Sequence, residues 1–213
     1  MIEETDSPVA DTKGFKAAAV YSRRTRQNRR ELRYLRNKET AAEAIAGLDR
    51  ETEIFGFTKG QFGLIDLLSA LIDKTGPAEM YISTWTAARY EIQKILDFVQ
   101  NGKILRARWL VDLTFQRRDK GLAALIRKQF GADSIRVAQT HAKFTILEND
   151  TWRLVLRTSM NLNMNPRFED FTIAHDPELA DFLGKILDEL WTRQAKELAY
   201  TNTKAIQRAW RDF

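Results

Sequence analysis

The stretch His141-Ala-Lys-Phe-Thr-Ile-Leu-Glu148, followed by Trp152-Arg-Leu-Val-Leu-Arg-Thr-Ser-Met-Asn161, decides the fold of this chain. Each half is a short strand-like run, and the polar residues between them predict a tight turn. Two neighbouring strands then bring together a histidine, a lysine, a hydroxyl and a carboxamide. The chain has only two histidines, so a histidine beside a lysine, a hydroxyl and a carboxamide is a candidate functional residue. These groups can attack or protonate, hold negative charge and donate hydrogen bonds, which indicates phosphate chemistry.

Outward from this stretch, strand-like and helix-like patterns alternate from about residue 52. The predicted strands are 53–57, 80–85, 104–113, 134–139, 142–148, 152–156 and 170–174; the predicted helices are 60–75, 86–100, 119–130 and 178–198. Such alternation is typical of βαβ units. The expected fold is an α/β sandwich with a mixed, largely parallel sheet flanked by helices.

Four segments are expected along the chain. Residues 1–12 are acidic and predicted to be disordered, and residues 13–50 form a basic helical arm. Within the arm we expect a helix over 15–38 and a short helix over 41–48, which Thr40 caps with Glu43 as capping-box partner. The α/β domain covers 51–200, and 201–213 form a C-terminal helical tail.

Charge is concentrated in the arm. From residue 13 to 38 ten Lys and Arg face Glu31 alone, a local net charge of +9, whereas the whole chain carries +5. Such asymmetry is typical of chains that bind a polyanion. The predicted nucleic-acid-binding residues are Arg23, Arg24, Arg26, Arg29, Arg30, Arg33 and Arg36, with DNA favoured over RNA. Two alternatives remain for this charged segment: it is only a solvated helix face, or it binds a membrane surface.

Composition limits the remaining classes. Hydrophobic residues make up 44% and charged residues 30% of the chain, as in ordinary globular proteins. No apolar run approaches the ~18 residues that span a bilayer, and the acidic N-terminus does not suit a signal peptide. The chain has no cysteine, which excludes disulfides and thiolate metal sites. We therefore expect a cytoplasmic protein without membrane contact.

The order of the chemically active residues is that of a known motif. His141, Lys143 and Glu148 are followed by Thr158-Ser-Met-Asn161 and then by Glu169. This resembles the signature of the phospholipase D superfamily, H-x-K-x-x-x-x-D and then G-S-x-N with a downstream acid, here as a single-motif, nuclease-like member. Glu148 stands in place of the aspartate, although Asp150 is close, and Thr158 stands in place of the glycine.

The resemblance implies a homodimeric phosphodiesterase, endonuclease-like, in which two histidines share one pocket. One His141 would attack phosphorus to form a phosphohistidine, and its mate would protonate the leaving oxygen. Lys143 and Asn161 would neutralise the phosphate oxygens, Ser159 would add a hydrogen bond, and Glu169 would orient the histidine. The resemblance implies no metal and no other cofactor.

Two other functions compete with this one. The first is a catalytically weak or inactive nucleic-acid-binding protein on the same scaffold, supported by the two departures from the signature. The second is a phospholipase or phosphatidyl transferase, although such enzymes usually carry two motifs in a longer chain. Three groups of residues are interpreted as structural: His175 as a turn residue, Asn163 and Asn165 as loop caps, and Trp85 and Trp109 as packing residues. Two interpretations stay open. Arg167 is either a phosphate ligand or a surface partner of Asp170, and Lys59–Gly63 is a turn that could line the pocket.

Overall fold

The computed structural model describes residues 29–35, 39–115, 121–164, 166–194 and 204. The strands are β1 (Arg29–Tyr34), β2 (Thr52–Thr58), β3 (Ala78–Thr84), β4 (Ile104–Asp112), β5 (Ile135–Ala138), β6 (Phe144–Glu148), β7 (Arg153–Thr158) and β8 (Glu169–His175). The helices are α1 (Ala41–Ala44), α2 (Leu64–Thr75), α3 (Arg89–Gln100), α4 (Leu122–Phe130) and α5 (Pro177–Arg193).

Within the described ranges all strands form one sheet, in the order β1-β2-β8-β7-β6-β3-β4-β5. The pairs β1–β2, β3–β4 and β4–β5 are parallel, and the other four neighbouring pairs are antiparallel. Six strands consequently point the same way, and β6 and β8 point the opposite way. The expected α/β class with a mixed sheet is confirmed. We call the edge that holds the C-terminal ends of the six strands and the N-terminal ends of β6 and β8 the upper edge.

The two faces of the sheet are covered unequally. One face carries the large core, in which buried leucines and isoleucines of α2 and α3 and Ile126 of α4 pack on the strands. On the other face α5 packs Ala180, Leu187 and Leu190 against Ile146 and Val155. Strand register places Phe57 of β2 on this second face, because Phe57 pairs with Asp170 and Val155 pairs with Ala174 of the same strand β8. Phe57 and its neighbour Tyr34 on β1 are exposed there.

Residues 29–34 of the basic arm form a strand, so the helix expected there is wrong. Here β1 pairs in parallel with β2 and alternates exposed with half-buried side chains. Contacts with residues beyond the segment favour the strand over a helix: Arg30 contacts Glu53 at 2.6 Å, and Arg29 contacts Asp49 and Thr52. The rest of the expected helix, 15–28 and 36–38, lies outside the described residues.

Helix ends follow local chemistry. The capping box of Thr40 and Glu43 is confirmed, although α1 ends at Ala44. Helix α2 begins at Leu64 rather than at residue 60, because Gly60 has φ +84 and Gly63 is the N-cap. The N-terminal end expected for α4, 119–120, and the C-terminal end expected for α5, 195–198, lie outside the described residues. Within the described ranges, no helix combines the length and apolarity that crossing a bilayer requires.

Candidate active site

Three adjacent strands bring the motif residues to the upper edge. Strand β6 begins just after Lys143, β7 ends just before Ser159, and β8 begins at Glu169. Backbone hydrogen bonds continue the ladder beyond the strand ends, from Thr158 N to Lys143 O at 3.2 Å and from Ser159 N to Asp170 O at 3.1 Å. The antiparallel pairing of β6, β7 and β8 is therefore what gathers residues that are up to 28 positions apart.

The histidine and the lysine contact each other directly. Lys143 Nζ lies 3.3 Å from His141 Nδ1 and donates to the His141 carbonyl oxygen at 3.2 Å. An ammonium group only donates, so Nδ1 must accept, and the neutral ring then carries its proton on Nε2. The imidazole is exposed, which leaves it accessible to a substrate.

The serine and the glutamate form a second pair. Ser159 Oγ donates a hydrogen bond to Glu169 Oε2 and accepts one from Asp170 N at 3.0 Å. Burial lowers the pKa of Lys143, and the negative charge of Glu169 opposes that shift. Glu169 thus interacts with Lys143 through its charge. Its described hydrogen bond is with Ser159 rather than with His141.

Asn161 lies at the same edge but stands apart from the two pairs. It is half-buried, and its Oδ1 is buried without a hydrogen-bond partner among the described residues. The following residue, Leu162, anchors the loop by donating its amide to Thr84 Oγ1 at 3.3 Å and to Thr86 O at 3.1 Å. Buried Glu91 of α3 accepts the amide of Met164 at 3.1 Å. The loop after Ser159 is therefore fixed from β3 and α3.

Three supporting residues were not recognised as such from the sequence. Asp112, buried at the end of β4, accepts the amide of Thr140 at 3.1 Å. Ser83 of β3 donates to the carbonyl of Ala142 at 2.8 Å. Trp85, interpreted above as a packing residue, lies with its ring centroid 5.0 Å from that of His141. The segment that carries His141 is thus held from two neighbouring strands, and its imidazole rests against an indole.

The two departures from the signature have different structural settings. Glu148 lies at the opposite end of β6 from Lys143 and pairs with Arg153 at 2.6 Å. It consequently belongs to the hairpin rather than to the upper edge. Thr158 lies next to Ser159, where its hydroxyl donates to Asp170 O at 2.6 Å and accepts from Met160 N at 3.0 Å. That side chain ties the end of β7 to β8.

The other residues singled out from the sequence are distributed as follows. His175 lies at the opposite edge, where its Nδ1 accepts from Arg153 N at 3.1 Å and burial lowers its pKa. Asn163 Oδ1 is buried without a partner among the described residues, and Asn165 lies outside them. Arg167 is exposed. In the Lys59–Gly63 turn, Gln61 accepts the amide of Lys59 at 2.6 Å, and Gly60 packs against Pro166 and Arg167.

Of the arginines predicted to bind nucleic acid, Arg29, Arg30 and Arg33 are described, and Arg23, Arg24, Arg26 and Arg36 are not. Arg33 contacts Glu31 at 2.6 Å and donates to the carbonyl of Glu43 at 2.8 Å. All three described arginines have acidic partners. Their contacts hold the edge strand in place.

Among the described residues, no group of three or more His, Cys, Asp or Glu side chains is arranged to hold a metal ion. The chemically active groups that the fold does gather are an exposed imidazole, an ammonium group, a hydroxyl bonded to a carboxylate, and a carboxamide. These groups stand at one edge of an open α/β sheet.

Comparison with known proteins supports this fold. No protein-family model and no curated protein sequence matches the chain. Among solved structures, polyphosphate kinase from Porphyromonas gingivalis is 12% identical with a TM-score of 0.51 over 72% of this chain, which spans 29% of that kinase. The phospholipase D family member Nuc from Salmonella typhimurium is 18% identical (TM-score 0.44; 66% of this chain, 93% of Nuc). NucT from Helicobacter pylori is 14% identical (TM-score 0.45; 66% of this chain, 96% of NucT).

These likenesses concern the backbone fold. The class that fold and comparisons define is an α/β sandwich with a mixed sheet flanked by helices. Structures similar to this chain include a phospholipase D family member, as the motif resemblance led us to expect, and the similarity is one of fold.

Proposed function

We propose that this chain is a metal-independent phosphodiesterase of the nuclease type, which acts on nucleic acid as a homodimer through a phosphohistidine intermediate. The observation that carries the proposal is the convergence of the His141–Lys143 contact and the Ser159–Glu169 hydrogen bond on one exposed edge of the sheet. DNA is the favoured substrate, and the protein acts in the cytoplasm.

The reaction follows from what each group can do. The imidazole of one His141 attacks phosphorus, a phosphorus–nitrogen bond forms, and the bond to the leaving oxygen breaks. The imidazolium of the second His141 gives its proton to that oxygen. Lys143 and Asn161 hold the non-bridging oxygens in the pentacoordinate state. Water then attacks the phosphohistidine: a phosphorus–oxygen bond forms, the phosphorus–nitrogen bond breaks and frees the first His141, and the second histidine takes up the proton that water loses.

A second chain is needed because one histidine cannot attack and protonate in the same step. In a single chain Glu169 is hydrogen-bonded to Ser159. If it is to orient a histidine as proposed, that histidine has to be brought to it. Juxtaposing two upper edges supplies the second imidazole and doubles the number of cations around the phosphate.

The first experiment measures cleavage of labelled DNA and RNA in excess EDTA. His141→Ala should abolish cleavage and leave DNA binding and dimerisation intact. His175→Ala is the matched control, because the chain's other histidine lies at the opposite edge. Retained cleavage by His141→Ala, or a requirement for added Mg²⁺, would contradict the mechanism.

The second experiment tests the shared site. Wild-type and His141→Ala chains are mixed, dissociated in mild denaturant and refolded together at varying ratios. If both histidines of a dimer are required, activity falls as the square of the wild-type fraction. A linear decrease would instead indicate that each chain works alone.

The alternative is a nucleic-acid-binding protein that retains the scaffold without cleavage. Its support is Thr158, which occupies the place of the motif's glycine beside Ser159. A purified protein that retards DNA in gels and cleaves no DNA or RNA substrate, with or without metal, would establish this alternative.

A further inference from the structure

Three aromatic rings are aligned on the sheet face beside the candidate site. Tyr34 is 56% exposed, Phe57 37% and Phe168 63%. The ring centroids of Tyr34 and Phe57 are 6.4 Å apart with a 33° interplanar angle, and those of Phe57 and Phe168 are 5.5 Å apart and stacked at 27°. We call these three residues the aromatic row. Exposed large apolar side chains are ordinary when isolated, whereas a contiguous group indicates a binding surface.

The aromatic row begins at the candidate site. Phe168 directly precedes Glu169, which accepts the hydrogen bond of Ser159. Phe57 pairs across strands with Asp170, whose amide donates to Ser159 Oγ at 3.0 Å. From there the row crosses β2 to Tyr34 on β1, the edge strand of the sheet. A chain bound at the upper edge could therefore continue along the rings.

Cations flank the row. Lys59 Nζ lies 5.3 Å from the centroid of the Tyr34 ring, in the geometry of a cation–π contact. Arg157 is exposed on the same face, two residues before Ser159, and exposed Arg167 directly precedes Phe168. The matching ligand offers flat aromatic faces and carries negative charges along its length.

We propose that the aromatic row is a base-stacking subsite for single-stranded nucleic acid. Unpaired nucleotides present both features, because their bases have free faces and their phosphates are anionic. In a duplex the base faces are already stacked inside the helix. The inference rests on the proposed function, since the stacked strand is the one whose phosphodiester enters the candidate site.

The test compares ligands that differ only in their bases. Full-length His141→Asn protein, which cannot cleave in this scheme, is titrated by fluorescence anisotropy with a labelled 15-nucleotide thymidine oligomer. An abasic oligomer with the same number of phosphates and a 15-base-pair duplex are titrated in parallel. In this background Tyr34→Leu and Phe168→Leu are made singly and together, because leucine keeps an apolar side chain but lacks an aromatic face. Phe182→Leu is the matched control, since Phe182 is 51% exposed on α5.

Stacking energies predict a loss of about fivefold or more in thymidine-oligomer affinity for each ring removed. Affinity for the abasic oligomer should stay constant, and so should the slope of log affinity against log salt, because the phosphate contacts are unchanged. The Phe182→Leu variant should bind both like its parent. A variant that loses its thermal transition is replaced by the other single variant.

Each remaining outcome overturns the inference. Unchanged thymidine-oligomer affinity in folded variants, or equal loss for the abasic oligomer, excludes a stacking role while leaving the proposed function intact. A lower sedimentation mass of the double variant without an affinity change assigns the row to contact between two copies of the chain. If the parent protein binds none of the three ligands, the proposed function fails together with the subsite.

Discussion

The hydroxyl of Thr158 connects the end of β7 to β8 immediately before Ser159. It donates to Asp170 O at 2.6 Å and accepts from Met160 N at 3.0 Å. Thr158→Val keeps the branched shape and removes both bonds. Asp170 O retains the hydrogen bond from Ser159 N at 3.1 Å. The loss of stability in Thr158→Val therefore comes mainly from the Met160 amide, which loses its hydrogen-bond acceptor.

The size of the loss follows from these contacts. An amide left without its partner in a partly buried site costs about 1–3 kcal/mol, so we expect that reduction in the free energy of unfolding for Thr158→Val. Thr158→Ser keeps the hydroxyl and loses one methyl group, which costs about 0.8 kcal/mol or less. Thr158→Gly loses the same bonds and adds about 0.5–1 kcal/mol of backbone entropy. The expected order of stability is wild type, serine, valine, glycine.

Equilibrium urea unfolding measures this order through the midpoint at constant m-value. A Thr158→Val variant as stable as wild type, or a Thr158→Ser variant as unstable as Thr158→Val, would refute the assigned hydrogen bonds. Cleavage provides a second measurement. Because the Thr158 side chain is bonded to neighbouring backbone, restoring the motif's glycine should not raise the cleavage rate of the folded protein. A faster Thr158→Gly variant would show that the threonine obstructs the site.

Three further predictions address other positions. Gly60→Ala should cost more than Gly102→Ala: both have positive φ, but a Cβ on Gly60 would lie 2.5 Å from Pro166 Cα, and one on Gly102 meets nothing within 4 Å. In urea unfolding we expect the free energy of unfolding to fall by about 1–2 kcal/mol for Gly102→Ala and by about 1–3 kcal/mol more for Gly60→Ala. Equal losses would contradict the close approach of Gly60 to Pro166. Burial lowers the pKa of His175 in the folded protein below the unfolded value of about 6.5. The unfolded chain then binds more protons, so stability falls as pH drops through 6.5 towards the folded pKa. Thermal unfolding of His175→Gln should lose this part of the pH dependence, and an unchanged pH profile would contradict it. Glu148→Ala breaks a surface pair with Arg153, so it should cost at most about 1 kcal/mol and leave the cleavage rate unchanged, whereas a tenfold slower rate would place Glu148 in the site.

The sequence was sufficient for elements whose signals are local. Periodic apolar residues located α2 and α3, and the capping box at Thr40 placed the start of α1. Strand β1 was missed because its six residues, Arg29–Tyr34, carry four charges, and their pairing depends on acids of distant segments, such as Glu53. Strand formation follows the neighbours that a segment meets in the sheet more than its own composition.

For the candidate site too, some features could be predicted from the sequence and others could not. The sequence predicted that the motif residues lie at the ends of neighbouring strands, because the connection between β6 and β7 is a tight turn; the roles of these residues stay predictions. It could not predict the supports, since Asp112 is 28 residues from Thr140 and Ser83 is 59 residues from Ala142. Nor could it predict the aromatic row, whose members come from β1, β2 and the loop before β8. Such contacts exist only once the strand order is known.

The contact between Lys143 and His141 bears on how two identical chains could take different roles. With Lys143 donating to Nδ1, the neutral ring carries its proton on Nε2, so that nitrogen has no free lone pair with which to attack phosphorus. In the proposed dimer the attacking ring has to release Nδ1 from the lysine and expose an unprotonated Nε2. A phosphate between the chains supplies the cause, because its oxygens compete with Nδ1 for the ammonium group. Where Lys143 turns to the phosphate, its histidine can hold its proton on Nδ1 and attack through Nε2. The acid histidine has to give up the contact as well, because an imidazolium carries a proton on both nitrogens and its Nδ1 accepts no hydrogen bond. The nucleophile is then the neutral ring and the acid is the imidazolium, so the two identical chains of the proposed dimer differ in protonation rather than in sequence.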